Sequence, residues 1–136
     1  MPRVDRDEVF AAQERILRAE REREHAAATA LLRDAADSFQ RAGIAPAPLR
    51  ARTFNGRRTV KTQVVGWYLK SDRSVACDRE GNFYVMRAEG TLRETLRGAR
   101  LEPQPAPLVV GKGGRDGEAI ELSELITRRL KEPVIS

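Results

Sequence analysis

One helical pattern runs without interruption through residues 5–42, and a helix of that length constrains the fold more than any other feature of the chain. Asp5 is a favourable N-cap residue, and Glu8 completes a capping-box pattern three residues later. Gly43 suits the left-handed position that follows a helix, and the prolines of the following "PAP" prevent its continuation. At about 1.5 Å per residue the helix is roughly 55 Å long, which is more than the expected width of the rest of the protein.

The apolar stripe of this helix comes in two parts on nearly the same face. The first part consists of Val9, Phe10, Ile16 and Leu17, and the second of Ala27, Ala28, Leu31, Ala35 and Phe39. Glu20 and Glu24 lie on the stripe between them, where a continuously buried face would not place carboxylates. Two interpretations stay open: a kink or solvated waist at the glutamates, or an N-terminal overhang that packs on a partner chain.

From residue 49 onwards the apolar residues recur with a period of two, which is typical of β-strands. In "LRARTFNGRRTVKT" the Asn-Gly pair predicts a hairpin with a two-residue type I′ turn. "SVACD" and "NFYVMR" predict a second hairpin around the turn at residues 78–81. "LVVG" and "EAIEL" predict a third hairpin around "KGGRDG".

Two short helices complete the predicted fold. Thr91 and Glu94 form a capping-box pattern that opens a helix to about Arg100, and Ser123 is expected to cap the last helix. The sequence therefore predicts an α+β fold, with a long N-terminal helix packed on a small twisted antiparallel sheet of three hairpins and two short helices. We divide it into residues 1–44, the long helix with an overhang for self-association or a partner, and residues 45–136, a small basic α+β domain.

The net charge of +5 is concentrated in one segment. Residues 45–73 carry seven basic side chains and one acidic one, a net of +6, whereas segments 1–44, 74–100 and 101–136 carry −1, +1 and −1. The densest part, "RARTFNGRRTVKTQ", holds four arginines and one lysine and no acid. A localised excess of charge is informative about binding partners, whereas a dispersed one mainly affects solubility.

The hairpin register places most of these charges on one face, because side chains alternate along a strand. We call this face the basic strip, and it consists of Arg50, Arg52, Phe54, Arg57 and Lys61. The opposite face suits a core better and carries Leu49, Ala51, Thr53, Arg58, Val60 and Thr62. Guanidinium groups beside an aromatic ring favour binding of nucleic-acid phosphates and bases. The alternatives are a solvated face, or pairing with acidic residues of the long helix.

Residues that support catalysis or metal binding are scarce. His25 is the only histidine and lies in mid-helix among charged residues, which predicts a solvated surface position. Cys77 is the only cysteine and alternates with Val75 in a predicted strand, which predicts a small buried apolar residue. We therefore expect no metal, no cofactor and no enzymatic activity.

Two short motifs match known ones only in part. "VVGKGGRDG" lacks the spacing of a Walker phosphate loop, and a flexible hairpin loop is the better interpretation. Trp67, Tyr68 and Leu69 resemble the Trp-Tyr-Leu element of WYL domains. That match covers these three residues alone, and the family's arginine pattern is not recognisable around them, so no family is assigned.

These observations favour a non-enzymatic binding protein. The preferred interpretation is a nucleic-acid (polyanion)-associated accessory or regulatory protein that uses the Arg-rich hairpin and forms a homo-oligomer through Val9, Phe10, Ile16 and Leu17. The alternative is an assembly or adaptor module that docks on another protein through its long helix. The charged N-terminal residues, the lack of a membrane-spanning stretch and the single cysteine predict a cytoplasmic protein with no membrane partner.

Overall fold

The computed structural model describes residues 5–111 and 119–135, and it has the predicted α+β architecture. The helices of this part of the chain are α1 (Arg6–Arg41), α2 (Leu92–Arg97) and α3 (Leu122–Lys131). Its strands are β1 (Ala47–Thr53), β2 (Thr59–Tyr68), β3 (Val75–Asp78), β4 (Phe83–Val85), β5 (Arg87–Ala88), β6 (Val109–Val110) and β7 (Ile120–Glu121). The "KGGRDG" segment lies outside the described residues, so its loop stays a prediction.

Local hydrogen bonds fix both ends of α1. The carboxylate of Asp5 accepts from the amide of Asp7 at 3.0 Å, rather than from Glu8 as the capping-box pattern predicts. At the other end Gly43 has a φ of +79°, and the amide of Ile44 donates to the carbonyl of Phe39 at 2.8 Å. This is the Schellman arrangement, so the predicted C-terminal end of the helix is confirmed.

Within the part of the chain that the structure describes, other elements cover only the C-terminal half of α1. Its buried residues recur every three or four positions and are Ala28, Leu32, Ala35, Ala36 and Phe39. The predicted stripe was wrong in detail, because Ala27 is exposed and Leu31 only half-buried. Residues 6–23 contain no buried side chain, and we call this half of the helix the overhang.

The main sheet has five strands in the order β4-β3-β2-β1-β5. Strands β1 to β4 pair in an antiparallel manner, and β1–β2 and β3–β4 form the first two predicted hairpins. β5 pairs in parallel with β1, so the prediction of a wholly antiparallel sheet was wrong at this edge. The partner of a parallel strand lies far away along the chain, so no local turn signal marks the pairing. β6 and β7 form a separate antiparallel pair, as the third hairpin predicts.

The core lies on both faces of the strands. On one face the ring of Phe39 from α1 lies 5.3 Å from the ring of Trp67, and the indole N–H of Trp67 donates to the carbonyl of Ile44 at 2.9 Å. On the other face Tyr68 belongs to a second cluster with Leu49, Val64, Ala76, Tyr84 and Met86. Neighbouring residues of β2 therefore serve different cores, since side chains alternate along a strand.

The two short helices begin in different ways. Thr91 and Glu94 form both hydrogen bonds of the capping box of α2, as predicted. Ser123 does not cap α3, because that helix begins at Leu122 and Glu121 occupies the N-cap position without a side-chain hydrogen bond. The apolar side chain of Leu122 is fully buried, so packing rather than a capping residue sets where α3 begins.

Candidate functional site

The β1–β2 hairpin carries the basic strip in the predicted register. Arg50 lies opposite Lys61, and Arg52 lies opposite Thr59. All five residues of the basic strip are exposed, whereas the inner positions of the two strands are buried at Leu49, Ala51, Thr53 and Val60. The division of the hairpin into a charged outer face and an apolar inner face is therefore confirmed.

The turn of this hairpin is not the predicted two-residue type I′ turn. That turn needs left-handed backbone at both Asn55 and Gly56, and of these two only Gly56 has a positive φ, of +72°. The amide of Thr53 donates to the carbonyl of Arg58 at 2.9 Å, which leaves a loop over residues 54–57. The side-chain oxygen of Asn55 accepts from the amide of Arg57 at 3.0 Å, so Asn55 stabilises the loop through its side chain.

A buried hydroxyl completes the edge of β1 beside the basic strip. The register of β1 against β2 shifts between Pro48 and Arg50, as at a β-bulge. There the amide of Arg50 donates to the hydroxyl of Tyr68 at 2.8 Å, and the hydroxyl donates to the carbonyl of Arg50 at 3.0 Å. β5 pairs with β1 only at Arg52 and Thr53, so Tyr68 serves the backbone groups that β5 does not reach.

Two neighbouring concavities of about 140 Å³ each lie along one end of the basic strip. The first is lined by Arg50, Arg52, Thr59, Tyr68 and Arg73. The second shares Arg52 and Arg73 with the first, and its lining also includes Phe54, Asp72 and Arg87. We call the two concavities together the basic groove. Arg73 and Arg87 also line it, although no pattern in the sequence predicted them as site residues.

Arg73 reaches the basic groove from the turn between β2 and β3. Its φ of +63° is uncommon for a residue other than glycine. Its guanidinium lies 5.9 Å from the centre of the Tyr68 ring and donates to the carbonyl of Ile135 at 2.8 Å. These contacts hold the side chain of Arg73 beside the basic strip. In the sequence, the whole of β2 separates Arg73 from the loop over residues 54–57.

Arg87 reaches the basic groove through the parallel pairing of β5 with β1. It lies opposite Arg52 in the register, and its guanidinium is 5.4 Å from the centre of the Phe54 ring. That distance is within the range of a cation–π contact. Phe54 is still 58% exposed, so much of its ring remains open to solvent.

The remaining cations of the hairpin lie outside the basic groove. Neither Arg57 nor Lys61 lines either concavity. The guanidinium of Arg58 donates to the carbonyl of Gly90 at 3.0 Å, which keeps it on the side opposite to the basic strip. Of the predicted site residues, Arg50, Arg52 and Phe54 therefore line the basic groove, whereas Arg57 and Lys61 line neither concavity.

Within the described residues, the four arginines of the basic groove form no ion pair. Pairing with acidic residues of α1, one of the alternatives for the basic strip, thus does not occur in this part of the chain. Asp72 lines the groove, but its carboxylate accepts from the amide and hydroxyl of Ser74 at 3.0 and 2.6 Å. Thr59 accepts from the guanidinium of Arg50 through its hydroxyl and its carbonyl, at 2.9 and 3.0 Å. The groove lining carries four positive charges and one negative charge, and this positive excess attracts anions to the surface.

His25 is half-buried, so the prediction of a solvated position was wrong. Its Nδ1 lies 3.0 Å from the carbonyl oxygen of Ala106, and the neighbouring Glu24 accepts from the amide of Leu108 at 3.3 Å. The segment before β6 therefore packs on α1 directly after residue 23, where the overhang ends and the covered half of the helix starts. Across residues 5–111 and 119–135, no three His, Cys, Asp or Glu side chains are grouped so that they could hold a metal ion.

Cys77 and Tyr84 are buried within the sheet, and neither lines the basic groove. Cys77 is fully buried as predicted, and this burial, together with the nearby Asp78, raises the pKa of its thiol. Tyr84 donates to the carboxylate of Asp78 at 2.9 Å. Burial and this carboxylate raise the pKa of Tyr84 to about 12. Asp78 also accepts from the amides of Glu80 and Asn82, so it stabilises the turn of the second hairpin.

The candidate interface residues lie on the overhang and are all exposed. The exposed fractions of Val9, Phe10, Ile16 and Leu17 are 39, 60, 57 and 53%. Residues 6–23 contain five basic and five acidic side chains, which gives this segment no net charge. Apolar side chains set among balanced charges suit contact with another helix.

No protein-family model matches this chain, and no curated protein or solved structure matches it either. Among the helices of the described residues, none has both the length and the apolar character that crossing a membrane requires. The basic groove and the overhang are therefore the two candidate functional surfaces of this protein.

Proposed function

We propose that the protein is a non-enzymatic cytoplasmic protein that binds nucleic acid along the basic strip and in the basic groove. The observation that carries this proposal is that four arginines line two adjoining concavities beside the exposed ring of Phe54, without an ion pair among the described residues. Arginine donates in pairs to phosphate oxygens, and aromatic rings stack on bases. A merely solvated charged face requires neither a concavity nor rings.

The dimensions of the basic groove argue against a small-molecule active site. Pockets for small molecules usually measure about 300–1,000 Å³ and enclose most of the ligand. Each concavity of the groove measures only about 140 Å³, and the two lie side by side along the strand. Among the described residues that line them, Asp72 is the only carboxylate, and it is already hydrogen-bonded to Ser74. An extended anionic ligand that spans both concavities suits this surface better than an enclosed one.

The salt dependence of binding tests this proposal. The variant replaces Arg50, Arg52, Arg57 and Lys61 by Gln, which removes four exposed charges. Each phosphate contact adds about 0.7–0.9 to the slope of log affinity against log salt concentration. We expect the slope to fall by roughly two units if only the groove residues touch phosphates, and by roughly three if the whole strip does. The measurement is fluorescence anisotropy with labelled DNA and RNA over a range of salt concentrations.

A matched control removes the same amount of charge elsewhere. It replaces Arg79, Arg93, Arg97 and Arg100, which are exposed and line neither concavity, by Gln. We expect the control to keep most of the wild-type slope. An equal loss in both variants would mean that overall charge, not the strip, drives binding. A wild-type protein that binds no polyanion at low salt would refute the proposed function.

We also propose that the overhang joins two copies of the chain. The supporting observation is that four exposed apolar residues share a helix segment that has no net charge and is not covered by the domain. Balanced charges of both signs can pair between identical helices, and the apolar side chains are buried when two such helices meet. An adaptor role, in which the same residues dock on a different protein, is the second candidate because it uses the same exposed surface.

Light scattering distinguishes these two possibilities. We expect a dimer for the wild type, and we expect the double variant Phe10→Asp and Leu17→Asp to be a monomer with unchanged circular dichroism. The control variant places Asp at Ala26 and Ala30, two exposed positions outside the overhang, and should remain dimeric. A wild type that is monomeric at high micromolar concentration would contradict self-association and favour the adaptor role.

A further inference from the structure

The β1–β2 hairpin does not project from the domain as a free two-stranded ribbon. On one side the amides of Arg52 and Phe54 donate to the carbonyls of Met86 and Ala88, at 3.1 and 3.0 Å. On the other side the carbonyl of Lys61 accepts from the amide of Ala99 at 2.7 Å. Among the described residues, the loop at residues 55–57 lies beyond these hydrogen bonds. A ribbon that reads duplex DNA has to enter a major groove about 12 Å wide, and this flanked hairpin cannot do so.

The basic groove instead presents separate places for a phosphate and for an unstacked base. Arg50, Arg52 and Arg73 surround the first concavity. Phe54 lines the second concavity, and the guanidinium of Arg87 lies over its ring. The bases of a duplex are already stacked on one another, whereas those of a single strand are free to stack on a protein ring. From this arrangement we infer that the ligand of the basic groove is single-stranded nucleic acid, an inference that rests on the proposed function.

Two contacts assign roles to the arginines that the sequence analysis did not place in the site. Arg73 is held by the carbonyl of Ile135 and lies near the ring of Tyr68, so it is positioned before any ligand arrives. Preorganised groups lose less conformational freedom on binding, which favours affinity. Arg87 lies over Phe54 at 5.4 Å, so the ring takes one base, on the part of its surface that Arg87 leaves open.

The experiment compares a labelled single strand of about 12 nucleotides, within the usual site size of such proteins, with a duplex of the same sequence. We expect the wild type to bind the single strand at least roughly tenfold more tightly than the duplex, a difference of about 1.4 kcal/mol. Arg73→Gln and Arg87→Gln should each weaken single-strand binding and lower its salt slope by about 0.7. Phe54→Ala should weaken single-strand binding by roughly 5- to 150-fold, without much change in the slope.

Arg93→Gln is the control, because Arg93 is exposed on α2 and lines neither concavity. Equal affinity of the wild type for single strand and duplex would overturn the inference but leave the proposed function intact. A different outcome is that the wild type prefers the single strand while the three groove variants (Arg73→Gln, Arg87→Gln and Phe54→Ala) bind it as well as the control Arg93→Gln does. That result would overturn the assignment of the basic groove as the binding site. Lack of binding to either probe at low salt would overturn the proposed function as well. Circular dichroism of each variant shows whether a loss of binding reflects unfolding. Arg87 and Phe54 are exposed, so their variants test the groove independently of the unusual backbone at Arg73.

Discussion

Replacing Tyr68 by Phe removes one oxygen atom and two hydrogen bonds at the edge of the basic groove. The amide of Arg50 donates to the Tyr68 hydroxyl at 2.8 Å, and the hydroxyl donates to the carbonyl of Arg50 at 3.0 Å. A phenylalanine ring keeps the packing of the second core cluster, so the change isolates the hydroxyl. Each hydrogen bond contributes about 1 kcal/mol net, and a polar group left buried without a partner costs about 1–3 kcal/mol. Two lost hydrogen bonds, and the backbone groups that they leave without this partner, give an expected total loss of about 2–3 kcal/mol.

Two measurements check this expectation. Urea unfolding followed by circular dichroism gives the change in the free energy of unfolding. Amide hydrogen exchange gives the local effect, since the Arg50 amide should exchange much faster in Tyr68→Phe than in the wild type. Tyr84→Phe is the control: it removes the hydrogen bond to Asp78 and lowers stability, but it should leave the exchange of the Arg50 amide unchanged.

The outcome that would refute the reasoning is specific. If Tyr68→Phe lies within about 0.5 kcal/mol of the wild type, the range of an ordinary surface substitution, the hydroxyl does not fix this edge. Unchanged protection of the Arg50 amide would lead to the same conclusion. Water would then be an adequate partner for both backbone groups.

The remaining predictions concern the sheet. A Cβ added at Gly66 would lie 1.9 Å from the carbonyl oxygen of Cys77, so Gly66→Ala should cost about 3 kcal/mol or more by urea unfolding. A Cβ added at Gly56 meets no neighbouring atom, so Gly56→Ala should cost only about 1–2 kcal/mol, the strain of a left-handed backbone. Equal losses of stability in Gly56→Ala and Gly66→Ala would contradict the steric argument. The thiol of Cys77 is buried and its pKa is raised, so it should react with an aromatic disulfide reagent only when the protein unfolds. Rapid stoichiometric labelling of the native protein at pH 8 would contradict this prediction. Because the pKa of Tyr84 rises from 10.0 to about 12 on folding, the unfolded chain loses the phenol proton first as the pH rises, and the free energy of unfolding should fall between those values. In Tyr84→Phe the free energy of unfolding should fall less steeply with pH, by the equivalent of up to one bound proton. A slope equal to that of the wild type would contradict the assignment of this titration to Tyr84.

Some features set by local chemistry could be predicted from the sequence, although the type I′ turn at Asn55-Gly56 and the Ser123 cap did not form. The end of α1 at Gly43 and the capping box at Thr91 depend on residues within one turn of the chain, and both formed as expected. The alternation along β1 and β2 placed Arg50, Arg52 and Phe54 on the outer face, because a strand has only two faces and one of them is buried.

Features set by distant parts of the chain could not be predicted in this way. Arg87 joins the groove through a parallel pairing of β5 with β1, which has no turn of its own to signal it. Arg73 joins it because the turn before β3 adopts a left-handed backbone at a residue that rarely does so. His25 was expected to be solvated because its sequence neighbours are charged, but the carbonyl that it contacts belongs to Ala106, on a distant segment.

The main core joins two regions of the chain that are synthesised at different times. Phe39 and the residues before it in α1 pack with Leu122, Leu125 and Ile126 of α3, about 80 residues further along. Such distant contacts slow folding, because closing the long intervening chain into a loop costs conformational entropy. At about 5–20 residues per second, ribosomal synthesis of that stretch takes roughly 4–16 s. During this interval the apolar face of α1 has left the ribosome without the helix that later covers it, so the nascent chain is at its most prone to aggregation then.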